Sequence, residues 1–463
     1  MSTDSSEAVA TTAPGLIDED RLLSSVMRLA WPVVVQQVSF SMVQLVDTAL
    51  VGHLGEDALA GVRLGGQLLW ISMSGLVAVG VGATAVIARA VGGGRPDEAG
   101  KTLNTAMILA LVWGLLVGLG MWFLGSWSLG MLGAEPGAKH EGGVYLEGLA
   151  VGMPFWSLIF AGSSALQGAG DTRTPMVVGV LVNIVNGVLS YMMINGTWIA
   201  PRMEVLGSGA GFAGAAMIGS MLIIAAMATR PGIIRWSART ALHFDRDEAR
   251  RVLNVGVPSG LEQFQFSFAF MIYTRIIASL GTTALAAHGV TLAIQSLTFN
   301  VGFAISIATS AIVGQSLGAG RPDLAQRSTY LAMWYSMGFM AILGITLMVL
   351  GEPITDVFIA GEDADEVVHI GGQLLFIFGF AMPALGSSLS ISGALRGAGD
   401  TRSVLLIMAG STWIVRLIPA YLLAIPLGLG VPGAWVAAII DINTRSLLMY
   451  LRFRQGKWKH IKV

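Results

Sequence analysis

Twelve apolar runs of about 23 to 30 residues follow one another along the 463-residue chain, and they limit its fold more than any other feature. A helix needs about 20 apolar residues to cross the hydrocarbon core of a bilayer. A bilayer has no water to satisfy an open strand edge, and the runs are too long for barrel strands, so each run is predicted to be a spanning helix. The sequence therefore predicts an all-α polytopic membrane protein. The runs lie near 26–52, 65–90, 102–124, 144–166, 175–197, 207–229, 252–280, 284–313, 328–350, 368–393, 403–425 and 429–451.

Composition agrees with this fold class and excludes several functions. Hydrophobic residues make up 54% of the chain and charged residues 12%, with a mean hydropathy of +0.71. Twelve spans with short loops use nearly the whole chain, so no room remains for a separate catalytic domain. The net charge of −1 gives no overall field that would attract nucleic acid. Cysteine is absent, which excludes disulfides and thiol chemistry.

The basic residues lie mostly on one side of the predicted membrane. Twelve spans put both chain ends on the same side, and that side holds 21 of the 27 lysines and arginines, against three in the opposite loops. By the positive-inside rule, both termini are predicted to be cytoplasmic. The first 20 residues are polar and acidic and lack the basic start of a signal peptide, so we expect a disordered cytoplasmic tail.

The two halves of the chain repeat each other. The segment ALQGAGDTR at 165–173 recurs as ALRGAGDTR at 394–402, and GRPD at 94–97 recurs at 320–323. Six spans per half give both copies the same orientation, which predicts two six-helix bundles related by a pseudo-two-fold axis along the membrane normal, with a substrate site between them. The predicted parts of the chain are a disordered tail (1–20), an N-terminal bundle (21–229), a basic cytoplasmic linker (230–251), a C-terminal bundle (252–452) and a cytoplasmic tail (453–463).

These motifs resemble those of the multidrug and toxic compound extrusion (MATE) transporters. The resemblance also includes VDTALVGHLG at 46–55 and a proline near the start of helices 1 and 7, and it covers residues 21–452. It implies two six-helix bundles that face each other in a V. It further implies export of lipophilic, often cationic compounds by antiport against H+ or Na+, in a multi-pass protein of a prokaryotic inner membrane. The resemblance implies no cofactor.

Two glycine-rich motifs are interpreted as connectors between helices. In GAGDTR the glycines end one helix where a positive φ is needed, and Asp171 or Thr174 caps the next helix, with Pro175 in its first turn. The segment GGGRPDEAGKT at 92–102 nearly spells a phosphate-binding loop, but its spacing is one residue too long and a spanning helix precedes it. Its copy in the second half lacks the Gly-Lys-Thr, so no nucleotide partner is expected.

Ionisable residues inside the spans are the most informative, because a charge at the bilayer centre costs about 2.5 to 3.5 kcal/mol on insertion scales. Asp441 lies four residues before Arg445 on one helical face, which predicts a locally neutralised pair. Arg416 has no local partner in the sequence, so it either neutralises an acid of the substrate site or extends to the interface. The intramembrane candidates are Asp47, Glu262, Arg275, Arg416 and Asp441.

Helices 1 and 7 carry matching stripes of side chains at i, i+4, i+7 and i+11, which lie on one face of a helix. We expect both faces to line a cleft between the halves, where acids at two depths and phenyl rings suit a lipophilic cation. Two alternatives stay open: the rings pack as ordinary helix neighbours, or Asp47 pairs with Arg275 across the halves. The stripes are Gln36, Phe40, Val43 and Asp47 in helix 1 and Glu262, Phe266, Ala269 and Tyr273 in helix 7. Gln263 and Arg275 are further cleft candidates, and the family resemblance adds Asn183 and Asn186.

The resemblance assigns ion coupling to two carboxylates. Asp47 matches the helix 1 acid of the family, and Glu262 matches a helix 7 glutamate that some branches use. The second acids of those branches are missing, since helix 5 has Ser190 at the acid position and no acid occurs from 367 to 399. One carboxylate per half favours a proton, whereas Na+ at Glu262 or Asp47 would want several fixed oxygens. We expect Glu262 to be the main coupling residue, because no basic residue lies near it on its helix and its repeat mate is the neutral Gln36.

Three functions compete on this evidence. The leading one is an ion-coupled exporter that alternates between inward-open and outward-open states, with lipophilic cations, H+ or Na+, and membrane lipid as partners. A lipid-head-group flippase of the same superfamily would need a cationic cluster in the cavity, and only Arg275 and Arg416 are available. A polytopic membrane transferase would need His or paired acids in motifs, yet the six histidines occur singly. The sequence therefore predicts a transporter and not an enzyme.

Overall fold

Long α-helices dominate the computed structural model, which describes residues 22–197, 200–229, 234, 243–358, 364–461 and 463. In the first half, α3 and α6 both pack against α4, and α1 packs against α5. Buried side chains of α2, α3 and α4 form most of the apolar core of this bundle. The six helices of the first half are α1 (Leu22–Gly52), α2 (Glu56–Gly92), α3 (Pro96–Met131), α4 (Pro136–Gly168), α5 (Arg173–Asn195) and α6 (Val205–Thr229).

The second half repeats this order, and three of its helical rods depart from a straight α-helix. The rod of α9 has a kink at Leu350. The rod of α10 and α11 bends by 54° at a short break, where a proline lies in the first turn of α11 and cannot continue the preceding helix. The rod of α12 and α13 is continuous through a π-helical turn, Ser411–Leu417. The helices are α7 (Arg246–Ala278), α8 (Thr282–Gly318), α9 (Pro322–Asp356), α10 (Ala364–Gly379), α11 (Met382–Gly397), α12 (Thr401–Gly410), α13 (Ile418–Ala424) and α14 (Gly430–Arg454).

The lengths of these rods suit a bilayer. Among the described residues, nine helices are long and apolar enough to cross a membrane, and the bent pair α10 and α11 makes ten. The remaining two, α7 and α14, have 33 and 25 residues, which is enough length at about 1.5 Å per residue, although they carry more charged side chains. The all-α polytopic fold is confirmed, and the described helices are consistent with twelve spans.

The first GAGDTR connector turns the chain as predicted. Gly170 has a φ of 90° and its repeat mate Gly399 a φ of 85°, in the left-handed region that glycine favours. The Asp171 carboxylate accepts hydrogen bonds from the backbone N–H groups of Arg173 at 3.1 Å and Thr174 at 3.0 Å. It therefore satisfies free donors in the first turn of α5, and the predicted capping role is confirmed.

The second connector is fastened to the last helix. Asp400, the mate of Asp171, accepts a hydrogen bond from the Arg452 guanidinium of α14 at 2.8 Å. Both GAGDTR turns and both GRPD turns follow even-numbered rods, so they lie at the same end of the bundles. We call this end the connector face and the opposite end the far face.

The two bundles touch through glycines in the half of the membrane next to the connector face. A Cβ atom at Gly256 of α7 would overlap the carbonyl oxygen of Ala78 in α2, and one at Gly318 of α8 would overlap that of Arg89. Only a glycine lets two helix backbones approach so closely. α1 also contacts the other bundle, since its first turns share an apolar cluster with α8.

Two segment boundaries differ from the prediction. The linker was predicted to run from 230 to 251, but α7 begins at Arg246, because Asp245 accepts hydrogen bonds from the N–H groups of residues 247 and 248 and caps the helix. The predicted cytoplasmic tail 453–463 begins inside α14, which continues to Arg454, and its described part packs against the bundle, since Trp458 is fully buried. The predicted tail 1–20 and most of the linker before 243 lie outside the described residues.

Candidate substrate and ion site

An open cavity lies inside the N-terminal bundle, between α1, α2, α4, α5 and α6. Five residues predicted from the sequence lie together in its wall: Phe40, Val43, Asp47, Asn183 and Asn186. The prediction placed the helix 1 stripe on the pseudo-axis between the halves. The structure instead turns these side chains into their own bundle.

Aromatic rings form much of the cavity wall. Phe40 stacks on Trp156 with ring centroids 6.3 Å apart, and Trp156 contacts Phe212 at 5.4 Å. Tyr145 and Trp70 also line the cavity. Such rings supply apolar surface and a negative face that attracts cations. Only Phe40 was predicted from the sequence, because the other rings come from helices that carry no comparable pattern.

The Asp47 carboxylate lines this cavity with few polar neighbours. Its Oδ1 atom is buried and has no hydrogen-bond partner. The hydroxyl of Ser190 is within hydrogen-bonding reach, but that hydroxyl also donates to Oδ1 of Asn186 at 2.9 Å, and it can donate to only one acceptor at a time. In the described parts of the chain, no basic side chain forms an ion pair with Asp47. An unpaired buried charge is unfavourable, so a proton or a cationic ligand would complete this site.

Polar contacts hold α1 on both sides. The amide of Asn183 in α5 donates to the Ser39 hydroxyl at 2.9 Å, and Gln36 lies against Gly179 of the same helix. On the other side, the amide of Asn300 in α8 donates to the Ser41 hydroxyl at 2.9 Å. The helix that carries Asp47 is therefore linked to both bundles.

The predicted coupling residue, Glu262, is already paired with a base. Its Oε1 atom lies 2.6 Å from Nη2 of Arg396 in α11, and the two side chains are 8% and 15% exposed. The expectation that nothing holds Glu262 ionised was therefore wrong. It considered only neighbours on α7, whereas the partner lies 134 residues further along the chain.

The mismatch between the two repeat copies points to this pair. Arg396 is the only position at which ALRGAGDTR differs from ALQGAGDTR, where the first half has Gln167. Glu262 likewise corresponds to Gln36. The first half thus has two neutral amides where the second half has an acid and a base, a coupled difference that is visible in the sequence.

The rest of the helix 7 stripe faces the interior of the C-terminal bundle. Ala269 and Tyr273 are 1% and 4% exposed and belong to the apolar core of that bundle. The Tyr273 ring contacts the His288 ring at 5.7 Å and lies 5.9 Å below the Arg416 guanidinium. The prediction that these two residues line a cleft between the halves is wrong for this structure, because α7 turns the stripe towards its own bundle.

The remaining candidates on α7 have separate positions. Phe266 stacks on Phe270 of the same helix with centroids 6.4 Å apart, and Gln263 is half-buried. Arg275 is exposed in the last turn of α7 and forms no ion pair with Asp47 in the described structure. The alternative pairing of those two residues across the halves is therefore wrong for this structure.

A second buried ion cluster lies in the C-terminal bundle. Asp441 Oδ2 is 2.6 Å from Nη2 of Arg445 and 2.9 Å from Nε of Arg416, and its Oδ1 accepts a hydrogen bond from the Ser411 hydroxyl. The predicted pairing with Arg445 is confirmed. The partner that Arg416 lacked in the sequence is the same carboxylate, and the π-helical turn that contains Ser411 and Arg416 packs against α14.

The two bundle interiors therefore differ in charge. Among the described side chains, the N-terminal cavity has one acid without a counter-ion, whereas the C-terminal interior has one more base than acids. No group of three metal-ligating side chains occurs in the described residues. A cation thus has favourable electrostatics in the first bundle and unfavourable electrostatics in the second. The charged side chains in the C-terminal interior are Glu262, Asp441, Arg396, Arg416 and Arg445.

Comparison with known families and proteins finds a family match and several similar proteins. The MatE family model matches residues 32–192 and 258–422, one match in each half. The chain is 29% identical to the probable multidrug resistance protein NorM of Thermotoga maritima over 445 residues, which are 94% of this chain and 92% of that protein. It is 25% identical to the multidrug resistance protein PmpM of Pseudomonas aeruginosa over 457 residues, 95% of this chain and 93% of that protein.

Solved structures agree in fold at low sequence identity. The Vibrio cholerae MATE transporter VcmN in the bent form is similar with a TM-score of 0.85 at 20% identity, over 95% of this chain and 97% of that one. A multidrug resistance MATE family transporter of the MOP superfamily in an outward-facing conformation is similar with a TM-score of 0.87 at 20% identity, over 96% and 97%. The fold implied by the sequence resemblance is confirmed.

Proposed function

The chain belongs to the MatE family of multidrug efflux transporters, and we propose that it is an antiporter that exports lipophilic cations in exchange for inward-moving protons. The observation that carries this proposal is the Asp47 carboxylate in an aromatic-lined cavity without a counter-ion. A lipophilic cation gains ring contact and charge pairing at one place. When no cation is bound, a proton can neutralise the same carboxylate.

The coupling residue in this proposal is Asp47, ahead of Glu262. Antiport requires that the two passengers exclude each other, and one carboxylate cannot hold a proton and pair with a cation at once. Glu262 is less suited to this role, because Arg396 already neutralises it at 2.6 Å. A Na+ ion at Glu262 would have to displace that guanidinium, and one at Asp47 would need further fixed oxygens.

Alternating access follows from where the two bundles touch. Their glycine contacts lie next to the connector face, so this arrangement leaves the N-terminal cavity open towards the far face. The excess of basic residues at the connector face makes it the cytoplasmic side. A proton that arrives from outside would displace the bound cation from Asp47, and the bundles would then reopen towards the cytoplasm.

The same charge distribution sets the location. The described part of α1 begins at the connector face and α14 ends there, which favours cytoplasmic termini in a multi-pass protein of a prokaryotic inner membrane. Bacterial relatives support this location. Membrane lipid surrounds the many exposed apolar side chains, such as Leu116, Phe123 and Ile345.

A lipid-head-group flippase has less support than a cation exporter. A phosphate group would need free cationic side chains in the cavity. Arg396, Arg416 and Arg445 are committed to Glu262 and Asp441 inside the other bundle. Of the two cationic candidates from the sequence, Arg275 is exposed and Arg416 is one of these paired bases.

Efflux from reconstituted vesicles tests the proposal. We expect a pH gradient to drive efflux of a lipophilic cation such as ethidium, and a sodium gradient alone to drive none. Asp47→Asn should lower the pH-driven rate at least tenfold. Asp356→Asn, the same change at an exposed residue near the far face, is the control and should leave the rate unchanged. Undiminished pH-driven efflux by Asp47→Asn would refute Asp47 as the coupling acid.

A further inference from the structure

The last residues of the chain are anchored to the C-terminal bundle at the connector face. The Trp458 ring stacks on Phe453 in the last turn of α14, with centroids 4.7 Å apart, and its indole N–H donates to the Phe453 carbonyl at 2.8 Å. The Lys459 ammonium lies 2.5 Å from Oε1 of Gln326 in α9. Trp458 is fully buried, so residues 456–460 are a docked element of this bundle.

Beyond this anchor the chain reaches the N-terminal bundle. The Arg89 guanidinium, near the end of α2, donates to the carbonyl of Ile461 at 2.6 Å and to that of Ala398 at 3.3 Å. A planar guanidinium with several donors can join two acceptors in this way, and such charge-assisted hydrogen bonds are stronger than neutral ones. The Arg89 side chain of the first bundle thus binds two segments of the second bundle, one at Ile461 and one at Ala398.

A second arginine holds the segment two residues later. Arg251 of α7 donates to the backbone oxygen of Val463 at 3.0 Å, and it pairs with Glu98 of α3 at 2.5 Å. The Val463 side chain lies against Gly399 so closely that a Cβ atom there would overlap it. The segment therefore lies between the second connector and helices that contact the first bundle.

The internal repeat shows which of the two hydrogen bonds of Arg89 has an equivalent in the other half of the chain. The repeat mate of Arg89 is Gln315 in α8, and its amide donates to the carbonyl of Gly168 at 2.9 Å, at the first connector. Both residues thus bind the connector of the opposite bundle. Only Arg89 has a second terminal nitrogen, and that nitrogen donates to the carbonyl of Ile461.

We propose that residues 458–461, together with Val463, form a latch that joins the two bundles at the connector face and favours the state open towards the far face. In the proposed transport cycle the bundles must separate at the connector face. Such a separation breaks the hydrogen bond between Arg89 and Ile461, while Trp458 keeps the segment on its own bundle. The latch depends on the existence of two states but not on which ion or compound is carried.

The distance between the bundles at the connector face tests the latch. Arg173 and Arg402 are exposed, equivalent positions in the two GAGDTR connectors, and the chain has no native cysteine. Cysteines at both positions can carry spin labels, and electron–electron double resonance then measures the ratio of separated to closed molecules. This readout needs no transport, so a wrong assignment of Asp47 would not affect it.

Two variants remove the latch by different routes. Arg89→Gln keeps an amide that can bind Ala398, as Gln315 binds Gly168, but it loses the hydrogen bond to Ile461. A chain that ends at His460 loses the acceptors and keeps Trp458. We expect each to raise the ratio of separated to closed molecules about tenfold, the effect of losing one or two charge-assisted hydrogen bonds. The two changes combined should give no further rise. Lys457→Gln, at an exposed residue just before the latch, is the control and should leave the ratio unchanged.

Three results would overturn the latch. The first is a ratio that neither Arg89→Gln nor the shortened chain changes. The second is a rise with Arg89→Gln alone, which would assign the effect to the contact with Ala398. The third is an additive effect of the two changes, which would mean that they act at different places.

Discussion

The ion pair between Glu262 and Arg396 makes a quantitative prediction about single and double substitutions. The charged atoms are 2.6 Å apart, and both side chains are largely buried. Removal of one partner leaves the other charge uncompensated in a medium of low dielectric constant, which costs about 3 to 5 kcal/mol for a buried pair. We therefore expect Glu262→Gln and Arg396→Gln each to lower the free energy of unfolding by about 3 kcal/mol.

The double substitution should be much milder than either single one. Replacement of a whole buried pair by neutral groups is often close to neutral, and the first half of the chain has two amides, Gln36 and Gln167, at the equivalent positions. We expect the protein with Glu262→Gln and Arg396→Gln to lie within about 1 kcal/mol of the wild type. The coupling energy of the double-mutant cycle would then be several kcal/mol.

Unfolding of the purified protein in detergent, followed by tryptophan fluorescence across a denaturant series, measures these differences. The protein with both substitutions should also retain pH-driven efflux if Asp47 is the coupling acid. Additive losses in the double-mutant cycle would refute the reasoning, because they would mean that the two side chains do not stabilise each other. Loss of pH-driven efflux in a stable double mutant would return Glu262 to the coupling role.

Three further predictions concern other parts of the fold. Gly256→Ala places a methyl group against the Ala78 carbonyl and should shift the spin-label distance at the connector face towards separation. The control Gly338→Ala, with open space around it, should leave this distance unchanged. Equal distances in the two variants would contradict the proposed contact. Asp441→Asn leaves two buried arginines facing each other and should reduce folded protein several-fold in size-exclusion profiles, and a normal profile would show that the cluster is not needed. Asp171→Asn keeps a capping oxygen and should preserve transport, while Gly170→Val, at a φ of 90°, should lower the yield of folded protein; lost transport at full yield would indicate chemistry at this connector.

The fold could be predicted because its signals are local or repeated. Apolar runs of bilayer length specify helices, and an even number of spans per repeat specifies the parallel relation of the halves. Capping by Asp171 and the pair of Asp441 with Arg445 were predictable for the same reason, since each partner lies within four residues of the other. The π-helical turn at Ser411–Leu417 has no such local signal in the sequence.

The candidate site was only partly predictable, because it depends on how each helix is rotated in its bundle. Periodicity showed that Phe40, Val43 and Asp47 share one face of α1, but it did not show whether that face meets the opposite bundle or its own. The rings of Trp156 and Phe212 come from helices 4 and 6, and only tertiary packing brings them to Asp47.

Long-range ion pairs were a different case. The partner of Glu262 lies 134 residues away, beyond any helical periodicity. A comparison of the two repeat copies would have found it, because Gln36 and Gln167 of the first half are both replaced by charged residues of opposite sign in the second. A coupled mismatch between internal repeats is therefore a usable signal for contact.

Release of protons on binding of a lipophilic cation tests the central claim most directly. The purified protein in weakly buffered detergent is titrated with tetraphenylphosphonium at a series of pH values, and the change in pH is recorded. If a proton and the cation compete for Asp47, the wild type and the protein with Glu262→Gln and Arg396→Gln should both release protons, up to about one per cation bound. Asp47→Asn should release none. Proton release by Asp47→Asn equal to that of the wild type would contradict the account, since the two passengers would then compete somewhere else.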